Sequence, residues 1–197
     1  AEDIITRQDI VDIVERLKKD FPIVIDEAMK VTSYGSLLKV CKDLLHEKIP
    51  IIDMLTIIEA VADIAEFTKA PEILLEHVRA KLFRLITQKF KDTDGILHIV
   101  TIKPELEQQF IGKLQEHHGV SQLMISIAEI NNLVTKTKKL LDDIEAKGFS
   151  KITMVVDPVL RKRISEIYEK FGLQVSVLSH AELDSKANFA IEGTLEF

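Results

Sequence analysis

The sequence predicts a two-domain fold of the α+β or α/β class, in which a compact helical subdomain precedes a small α/β sheet subdomain. Residues 1–92 contain a single glycine, Gly35, and show helical spacing of apolar residues almost throughout, so this half is winged-helix-like in its density of helices. After the turn-forming sequence at residues 92–95, apolar and β-branched runs alternate with helical segments. We therefore expect a helical subdomain over residues 1–94 and an α/β subdomain over residues 95–197.

Five helices are expected in the first subdomain, and a favourable residue marks the start of four of them. Ser, Thr and Asp accept hydrogen bonds from free N–H groups at a helix start, and proline fits the first turn. The first helix runs to about Asp20, before the break at Phe21-Pro22, and a short helix covers residues 23–29. The expected starts are Thr6, Ser33 or Ser36, Asp53 and Pro71, the last of which opens a single long helix with Leu74, Leu75, Val78, Leu82, Leu85 and Ile86 on its apolar side.

The second subdomain is expected to form one small sheet covered by helices. Strands are predicted at residues 97–102, 152–156, 173–178 and 189–195, the last of them at an edge of the sheet. Helices are predicted at residues 104–115, 125–146 and 158–170, with a solvated loop at residues 116–119. The order strand–helix–helix–strand–helix–strand is typical of an α/β layer arrangement.

Composition excludes several classes of protein. The formal net charge is −6, neither half is basic and Trp is absent, so phosphate-driven nucleic-acid binding and base stacking have no support. The single cysteine, Cys41, excludes an internal disulfide framework and a cysteine zinc site, and it favours a reducing compartment. The longest apolar runs fall far short of the roughly 20 residues that span a bilayer, and the acidic N-terminus lacks the basic start of a signal peptide.

The sequence contains no motif for catalysis or cofactor binding. It lacks the glycine-rich phosphate loops of nucleotide-binding proteins and the G-x-S-x-G turn of serine hydrolases. The adjacent His117 and His118 have no third ligand at a typical spacing, which favours a solvated loop over a metal site. We therefore predict that the chain is not an enzyme and that it has no catalytic residues, cofactor or metal.

Two other functions remain open at this point. A small α/β enzyme would place its site at the strand ends near Asp157, Ser179 and His180, where ligands of such sheets bind, although Asp157 equally suits a cap for the next helix. A helix-turn-helix regulator would need basic and amide side chains on one exposed helix face, but the candidate helix at residues 53–67 is acidic.

Four stretches of the chain resemble one protein family. Residues 49–63, IPIIDMLTIIEAVAD, resemble a V-P-I-R-D-x-x-T-I-L-E-x-L-A segment, and residues 68–71, TKAP, resemble T-K-D-P. Residues 75–86, LEHVRAKLFRLI, resemble L-x-x-V-R-x-x-L-x-R-x-I, and residues 173–183 contain a V-L-S-x-x-E-(I/L) pattern. These patterns are similar to those of the FlhA/InvA/LcrD-type export-gate proteins of flagellar and virulence type III secretion systems. Ile52 departs from the usual Arg or Lys, and Ala70 departs from the usual Asp.

The resemblance implies the last two cytoplasmic subdomains of an export-gate protein, a helical one and a C-terminal α/β one. It implies a non-enzymatic docking and ring-assembly module that is itself soluble and lies at the cytoplasmic face of the bacterial inner membrane. Attachment to the membrane would come only through a preceding part of the protein. The implied partners are export chaperones, flagellar or secretion substrates, other components of the export apparatus, and neighbouring copies in a nine-membered ring; nucleic acid is not among them.

Five residues within these matched stretches are candidates for the partner or ring interface: Asp53, Thr56, Glu59, Arg79 and Arg84. Asp53 also suits a helix cap, whereas Thr56 and Glu59 are expected to be exposed. Arg79 and Arg84 lie five residues apart, which places them about 140° apart around a helix. One of the two arginines is therefore expected to form an ion pair inside the domain while the other faces a neighbouring subunit, and the sequence does not distinguish them.

Overall fold

A computed structural model describes residues 4–197 of the chain. The chain forms two compact units, one ending at Leu82 and the other covering Phe83–Phe197. We call them the first and the second unit. The predicted boundary at residues 92–95 corresponds to a turn within the second unit, between its first helix and its first strand.

The first unit consists of five helices along its described residues, as the spacing of apolar residues predicts. They are α1 (Arg7–Asp20), α2 (Pro22–Val31), α3 (Tyr34–His46), α4 (Met54–Ala65) and α5 (Pro71–Lys81). Eight side chains on these helices are each at most 1% exposed: Ile10 and Val14 of α1, Leu37 and Leu44 of α3, Ile57 and Val61 of α4, and Leu75 and Val78 of α5.

Local capping chemistry sets the helix starts, and the predicted starts are confirmed. The Thr6 hydroxyl accepts a hydrogen bond from the Asp9 N–H, and the Asp9 carboxylate accepts one from the Thr6 N–H, which is a reciprocal capping box. The Ser33 hydroxyl accepts from the Ser36 N–H, so Ser33 rather than Ser36 is the cap of α3.

The prediction of a single long helix after Pro71 is wrong, because the structure forms two helices there. Helix α5 ends at Lys81, and α6 (Phe83–Phe90) begins a new helix that belongs to the second unit. Leu82 has φ −90° and ψ 20°, and its N–H is shared between the carbonyl groups of Val78 and Arg79, as in a tightened last turn. No glycine or proline marks this break in the sequence, and the apolar spacing continues across it.

The turn at residues 92–95 is held inside the second unit by Asp92. Its carboxylate accepts hydrogen bonds from the hydroxyl of Ser150 at 2.6 Å, from the Ser150 N–H at 2.8 Å, and from the N–H groups of Thr93 and Lys151. These bonds, with that of the Ser150 hydroxyl the strongest, hold the pKa of Asp92 well below its usual range. The turn is therefore a fixed part of the α/β fold rather than a linker.

The second unit continues from α6 with alternating strands and helices. They are β1 (Leu97–Ile102), α7 (Pro104–Ile111), β2 (Leu114–His117), β3 (Val120–Leu123), α8 (Ile127–Glu145), β4 (Thr153–Val156), α9 (Pro158–Lys170), β5 (Ser176–Ser179), a 3₁₀ helix (His180–Glu182) and β6 (Phe189–Leu195). Four strands form a parallel sheet in the order β5-β4-β1-β6, so β6 lies at an edge as predicted.

One hydrophobic cluster covers a face of this sheet. Alternate strand residues point to it, including Val100 and Ile102 of β1 and Met154 and Val156 of β4. Helices α7, α8 and α9 complete the cluster with Leu106, Phe110, Leu133, Leu141, Ile144, Leu160, Ile164 and Tyr168. The buried Leu97, Ile99, Val155 and Leu178 alternate to the other face.

Residues 114–123 form a hairpin where the end of a helix and a loop are predicted. Helix α7 ends at Ile111, and β2 pairs with β3 in antiparallel register through His117 and Val120. His118 and Gly119 form the two-residue turn with φ 53° and 77°, the left-handed values that such hairpin turns need. Both histidines are exposed, so the expectation that they are solvated is confirmed. The strands contain one β-branched residue, Val120, which is too weak a signal to predict them.

Candidate interaction surface

Asp53, Thr56 and Glu59 lie together at the start of α4. The Asp53 carboxylate accepts hydrogen bonds from the Thr56 N–H at 3.2 Å and from the Thr56 hydroxyl at 2.7 Å. Asp53 is therefore the cap of α4, as its position before an apolar helix predicts. Glu59 follows Thr56 by one helical turn, is exposed, and makes no ion pair with any residue of 4–197. Asp53 and Glu59 are exposed, whereas Thr56 is half-buried because its hydroxyl turns back to the Asp53 carboxylate, so the expected exposure holds for Glu59 and not for Thr56. We call Asp53, Thr56 and Glu59 the polar strip.

The two candidate arginines have opposite surroundings. Arg79 of α5 is 1% exposed, and its Nη1 lies 3.3 Å from the Oε2 atom of Glu47, which follows the last turn of α3. Arg84 of α6 is exposed, with its guanidinium carbon 5.0 Å from the centroid of the Phe83 ring. Arg79 is therefore the arginine that forms an ion pair within its own unit, and Arg84 is the one that remains available to a partner.

A cleft of about 320 Å³ opens beside the cap of α4. It lies between residues 51–55 and the side chains of Ile13, Arg16 and Leu17 on α1. Its apolar wall ends in Ile52, which is 78% exposed. Sequence reasoning missed this cleft, although Ile52 stands out in the sequence as the residue that departs from the V-P-I-R-D pattern.

A buried histidine in the second unit lies between two carboxylates. His98 of β1 is 3% exposed; its Nε2 lies 2.7 Å from Asp94 Oδ2 and its Nδ1 lies 2.8 Å from Glu192 Oε1. The ring also stacks on Phe149, with the ring centroids 4.0 Å apart. Because ionised carboxylates only accept hydrogen bonds, this geometry suits the imidazolium form of the ring, in which both nitrogens donate.

A β-bulge places Glu192 in this cluster. The β1–β6 register pairs Ile99 with Ile191 but Val100 with Gly193, so Glu192 is an extra residue on β6. A Cβ on Gly193 would lie 2.6 Å from Cδ1 of Leu140, so α8 packs closely on the bulged strand. The bulge reorients the Glu192 side chain toward His98, which strict alternation along β6 does not predict.

We expect this cluster to make the second unit less stable as the pH rises. Although burial opposes the charged ring, the hydrogen bonds to Glu192 and Asp94 raise the pKa of His98 above its ordinary value. The stabilisation by the charged ring is fully present below about pH 6.5 and is lost as the pH rises through the raised pKa. The backbone N–H of Ile96 and the His98 ring lower the pKa of Asp94, so its carboxylate stays charged over this interval.

The check is the free energy of unfolding from about pH 6 to pH 9 for the wild type and for His98→Gln. The stability difference between them should shrink as the pH rises. His180→Gln, which changes an exposed histidine of the same unit, is the matched control and should leave the pH profile unchanged. A difference that stays constant across the interval would mean that His98 does not lose a stabilising charge.

A second buried cluster joins α9, α6 and the 3₁₀ helix. The Nε of Arg161 lies 3.9 Å from Oε1 of Glu182, and both side chains are at most 1% exposed. The Thr87 hydroxyl of α6 donates to the Glu182 carbonyl at 2.9 Å and accepts from the Asp184 N–H at 3.0 Å. Glu182 belongs to the V-L-S-x-x-E-(I/L) pattern, so the structure gives that glutamate a packing role inside the second unit.

Two residues of the alternative enzyme site, Asp157 and Ser179, take part in hydrogen bonds that involve backbone N–H groups. Val156 pairs with Ser179, so Asp157 and His180 follow neighbouring strand ends at one edge of the sheet. The Asp157 carboxylate caps α9 by accepting from the Val159 N–H at 3.0 Å, and the buried Ser179 directs its N–H to the Glu182 carboxylate. His180 is exposed, and no hydrogen bond joins it to Asp157 or Ser179 among the side-chain contacts of residues 4–197. This edge therefore offers helix caps in place of a nucleophile and its base.

Metal binding, cysteine chemistry and membrane spanning can each be checked in the described part of the chain. No group of three or more His, Cys, Asp or Glu residues in 4–197 is placed to hold a metal ion. Cys41 is buried on α3, and burial raises the pKa of its thiol to about 12, so it behaves as a packing residue. No helix in the same range has both the length and the apolar character needed to cross a bilayer.

Known proteins share this sequence and this fold. The chain is 40% identical over 196 residues to the flagellar biosynthesis protein FlhA of Helicobacter pylori, an alignment that covers 99% of this chain and 27% of that protein. The nonameric SctV-C of EPEC has the same fold with a TM-score of 0.85 and 18% identity, covering 98% of this chain and 58% of that one. Chlamydia pneumoniae CdsV, solved in complex with CdsO, has a TM-score of 0.82 and 20% identity, covering 99% of this chain and 57% of that one.

These likenesses confirm the predicted fold class and the resemblance drawn from residues 49–86. The chain spans about a quarter of the length of the Helicobacter pylori relative, so it corresponds to one part of such a protein. The model of the FHIPEP family matches residues 1–188, which is nearly the whole chain. The chain therefore belongs to the FHIPEP family.

Proposed function

We propose that this chain is a non-enzymatic docking and ring-assembly module of a bacterial flagellar or type III protein-export gate. The observation that carries the proposal is the family match over residues 1–188, and Asp157 of the alternative enzyme site is engaged in capping a helix. The module would lie at the cytoplasmic face of the inner membrane, and the rest of the protein would provide the membrane attachment.

Copies of the chain would assemble side by side in a ring. The nonameric state of EPEC SctV-C, which shares the fold, supports nine copies. We assign the proposed partner and ring interface to the polar strip of Asp53, Thr56 and Glu59 at the start of α4 in the first unit and, independently, to the exposed Arg84 on α6 in the second unit. Arg79 supports this interface from inside the first unit, where its ion pair with Glu47 fixes α5 to the end of α3.

The proposed external partners are export chaperones, their flagellar or secretion substrates and other components of the export apparatus. The complex of Chlamydia pneumoniae CdsV with CdsO supports the last of these classes. The net charge of −6 favours partners that present basic or mixed surfaces over nucleic acid.

Charge reversal at the proposed interface should impair export. Glu59→Lys and Arg84→Glu in the full-length protein should each lower secreted substrate by about tenfold, since a like-charge contact at an interface costs at least the 1.4 kcal/mol of one decade. Glu27→Lys on α2 and Lys138→Glu on α8 are the matched controls, because both residues are exposed and neither is one of the proposed interface residues. Wild-type secretion by both interface variants would remove these residues from the interface.

Docking can be tested separately by calorimetry. A chaperone loaded with its export substrate is titrated into this chain and, in parallel, into the complete cytoplasmic part of the protein. Equal affinities would place the docking surface within residues 1–197. Binding by the longer protein alone would make this chain the ring-forming part, and a failure of both with every chaperone of the organism would end the docking proposal.

A further inference from the structure

The first unit carries two unlike apolar features on its surface. One is the cleft between α1 and residues 51–55, whose lip is the exposed Ile52. The other is Phe67, which follows α4 and is 84% exposed. A concave apolar site and a protruding aromatic ring are complementary in shape and chemistry, and aromatic anchors of this kind dominate protein interfaces.

These two features lie at opposite ends of α4. Ile52 stands two residues before Met54, the first residue of the helix, and Phe67 stands two residues after Ala65, the last. A helix of 12 residues is about 18 Å long. The cleft end packs against α1, whereas Lys69 beyond the other end donates a hydrogen bond to the Val31 carbonyl at the end of α2. Phe67 of one copy therefore cannot reach the cleft of the same copy.

The charges beside the two features are also complementary. Arg16 lines the cleft and is exposed, and Glu66 is exposed next to Phe67. Neither side chain makes an ion pair or a side-chain hydrogen bond with another residue in 4–197. Opposite charges placed in this way favour one orientation of approach over the reverse.

We propose that the occupant of the cleft is Phe67 of a second copy of this chain, with Glu66 of that copy facing Arg16. A contact between two different surfaces of the same protein is heterologous, so each copy offers a free cleft to one neighbour and a free Phe67 to the other. Such a contact repeats around a ring and closes when the rotation permits. The inference rests on the proposed ring assembly and names which surfaces of the first unit meet there.

Site-directed cross-linking in the full-length protein tests this contact. Ile52→Cys and Phe67→Cys are made separately, with different epitope tags, and also together in one chain. Membranes from cells producing them are treated with a short bis-maleimide. Cys41 gives a low background because it is buried and its thiol has a raised pKa. Both substituted positions are exposed, so the variants are expected to fold.

If the contact is head-to-tail, we expect three cross-linking results. Each single variant alone gives no dimer, the two single variants produced together give a mixed dimer, and the double variant gives a ladder above the dimer. Arg16→Glu or Glu66→Arg introduced into the double variant should lower the ladder yield by about tenfold, and the two reversals together should restore it.

Other outcomes overturn the contact and separate it from the ring proposal. Dimers formed by either single variant alone would indicate a two-fold symmetric contact. Absence of the mixed dimer while electron microscopy still detects nonameric rings would mean that another segment or partner fills the cleft, and the ring proposal would stand. Absence of both cross-links and rings would overturn the two proposals together.

Discussion

Replacement of Glu182 by alanine is expected to lower the free energy of unfolding of the second unit by about 3–5 kcal/mol. The reason is the positive charge that the change leaves behind. Arg161 is fully buried and its Nε lies 3.9 Å from the Glu182 carboxylate, so loss of that carboxylate removes a counter-charge from a guanidinium in a site that water does not reach. Glu182→Gln should cost less than alanine, because the amide oxygen still accepts a hydrogen bond.

The measurement can be restricted to the unit that carries the change. The chain has two tyrosines and no tryptophan, and in a Tyr34→Phe background the buried Tyr168 of α9 is the only tyrosine that reports unfolding by fluorescence. His180→Ala changes an exposed residue of the same 3₁₀ helix and should stay within about 0.5 kcal/mol of the wild type.

A double variant tests whether charge causes the loss. Arg161→Met with Glu182→Leu removes both charges and keeps apolar volume, so it should recover most of the stability lost in Glu182→Ala. If the double variant is as unstable as Glu182→Ala, the loss comes from packing or from the bonds to Ser179, and the stranded charge is not its cause.

Predictions from the sequence succeed here where local chemistry decides the structure. Thr6 and Asp9 are three residues apart, and the capping box they form depends on nothing outside that turn. The same holds for Asp53 before α4 and for Asp157 before α9, whose side chains accept from N–H groups two or three residues on. A short stretch of sequence contains all the information that these helix starts need.

The features that were not predicted depend on contacts between residues far apart in the chain. The division at Leu82 follows from α6 packing with the 3₁₀ helix, about 95 residues further along, as the Thr87–Glu182 hydrogen bond indicates. The His98 cluster requires a bulge on β6, 94 residues from the histidine, and neither periodicity nor a motif encodes it. The cleft beside Ile52 likewise requires α1 to pack beside residues 51–55.

The candidate interface falls between these two cases. Exposure of Glu59 follows from the apolar spacing of its own helix, since Ile57, Ile58 and Val61 take the buried positions. The expectation that Arg79 and Arg84 lie about 140° apart on one helix is wrong, because the break at Leu82 places them on separate helices, and helical spacing does not say which of them points inward. That depends on the position of Glu47, which only the packing of α3 against α5 provides.

Arg79→Ala and Arg84→Ala should therefore have very different effects, although both remove an arginine from the same matched motif. Arg79→Ala should lower the free energy of unfolding by about 3–5 kcal/mol, because it removes a cation that pairs with the Glu47 side chain, which is 8% exposed, and because it opens a cavity. Arg84→Ala should stay within about 0.5 kcal/mol, because its guanidinium is exposed and contacts only one face of Phe83 among the ring contacts of the described chain.

Urea denaturation followed by circular dichroism gives the free energy of unfolding of both variants. Protein export in cells then gives a second comparison of the two positions. Arg79→Ala should reduce export only as far as it reduces the amount of folded protein, whereas Arg84→Glu should reduce export at an unchanged protein level. A double-mutant cycle between Arg79 and Glu47 should return a coupling of at least about 1 kcal/mol, because the two charges are buried together. If Arg79→Ala is as neutral as Arg84→Ala, Arg79 does not stabilise the first unit, and the two arginines would have to exchange the roles proposed for them.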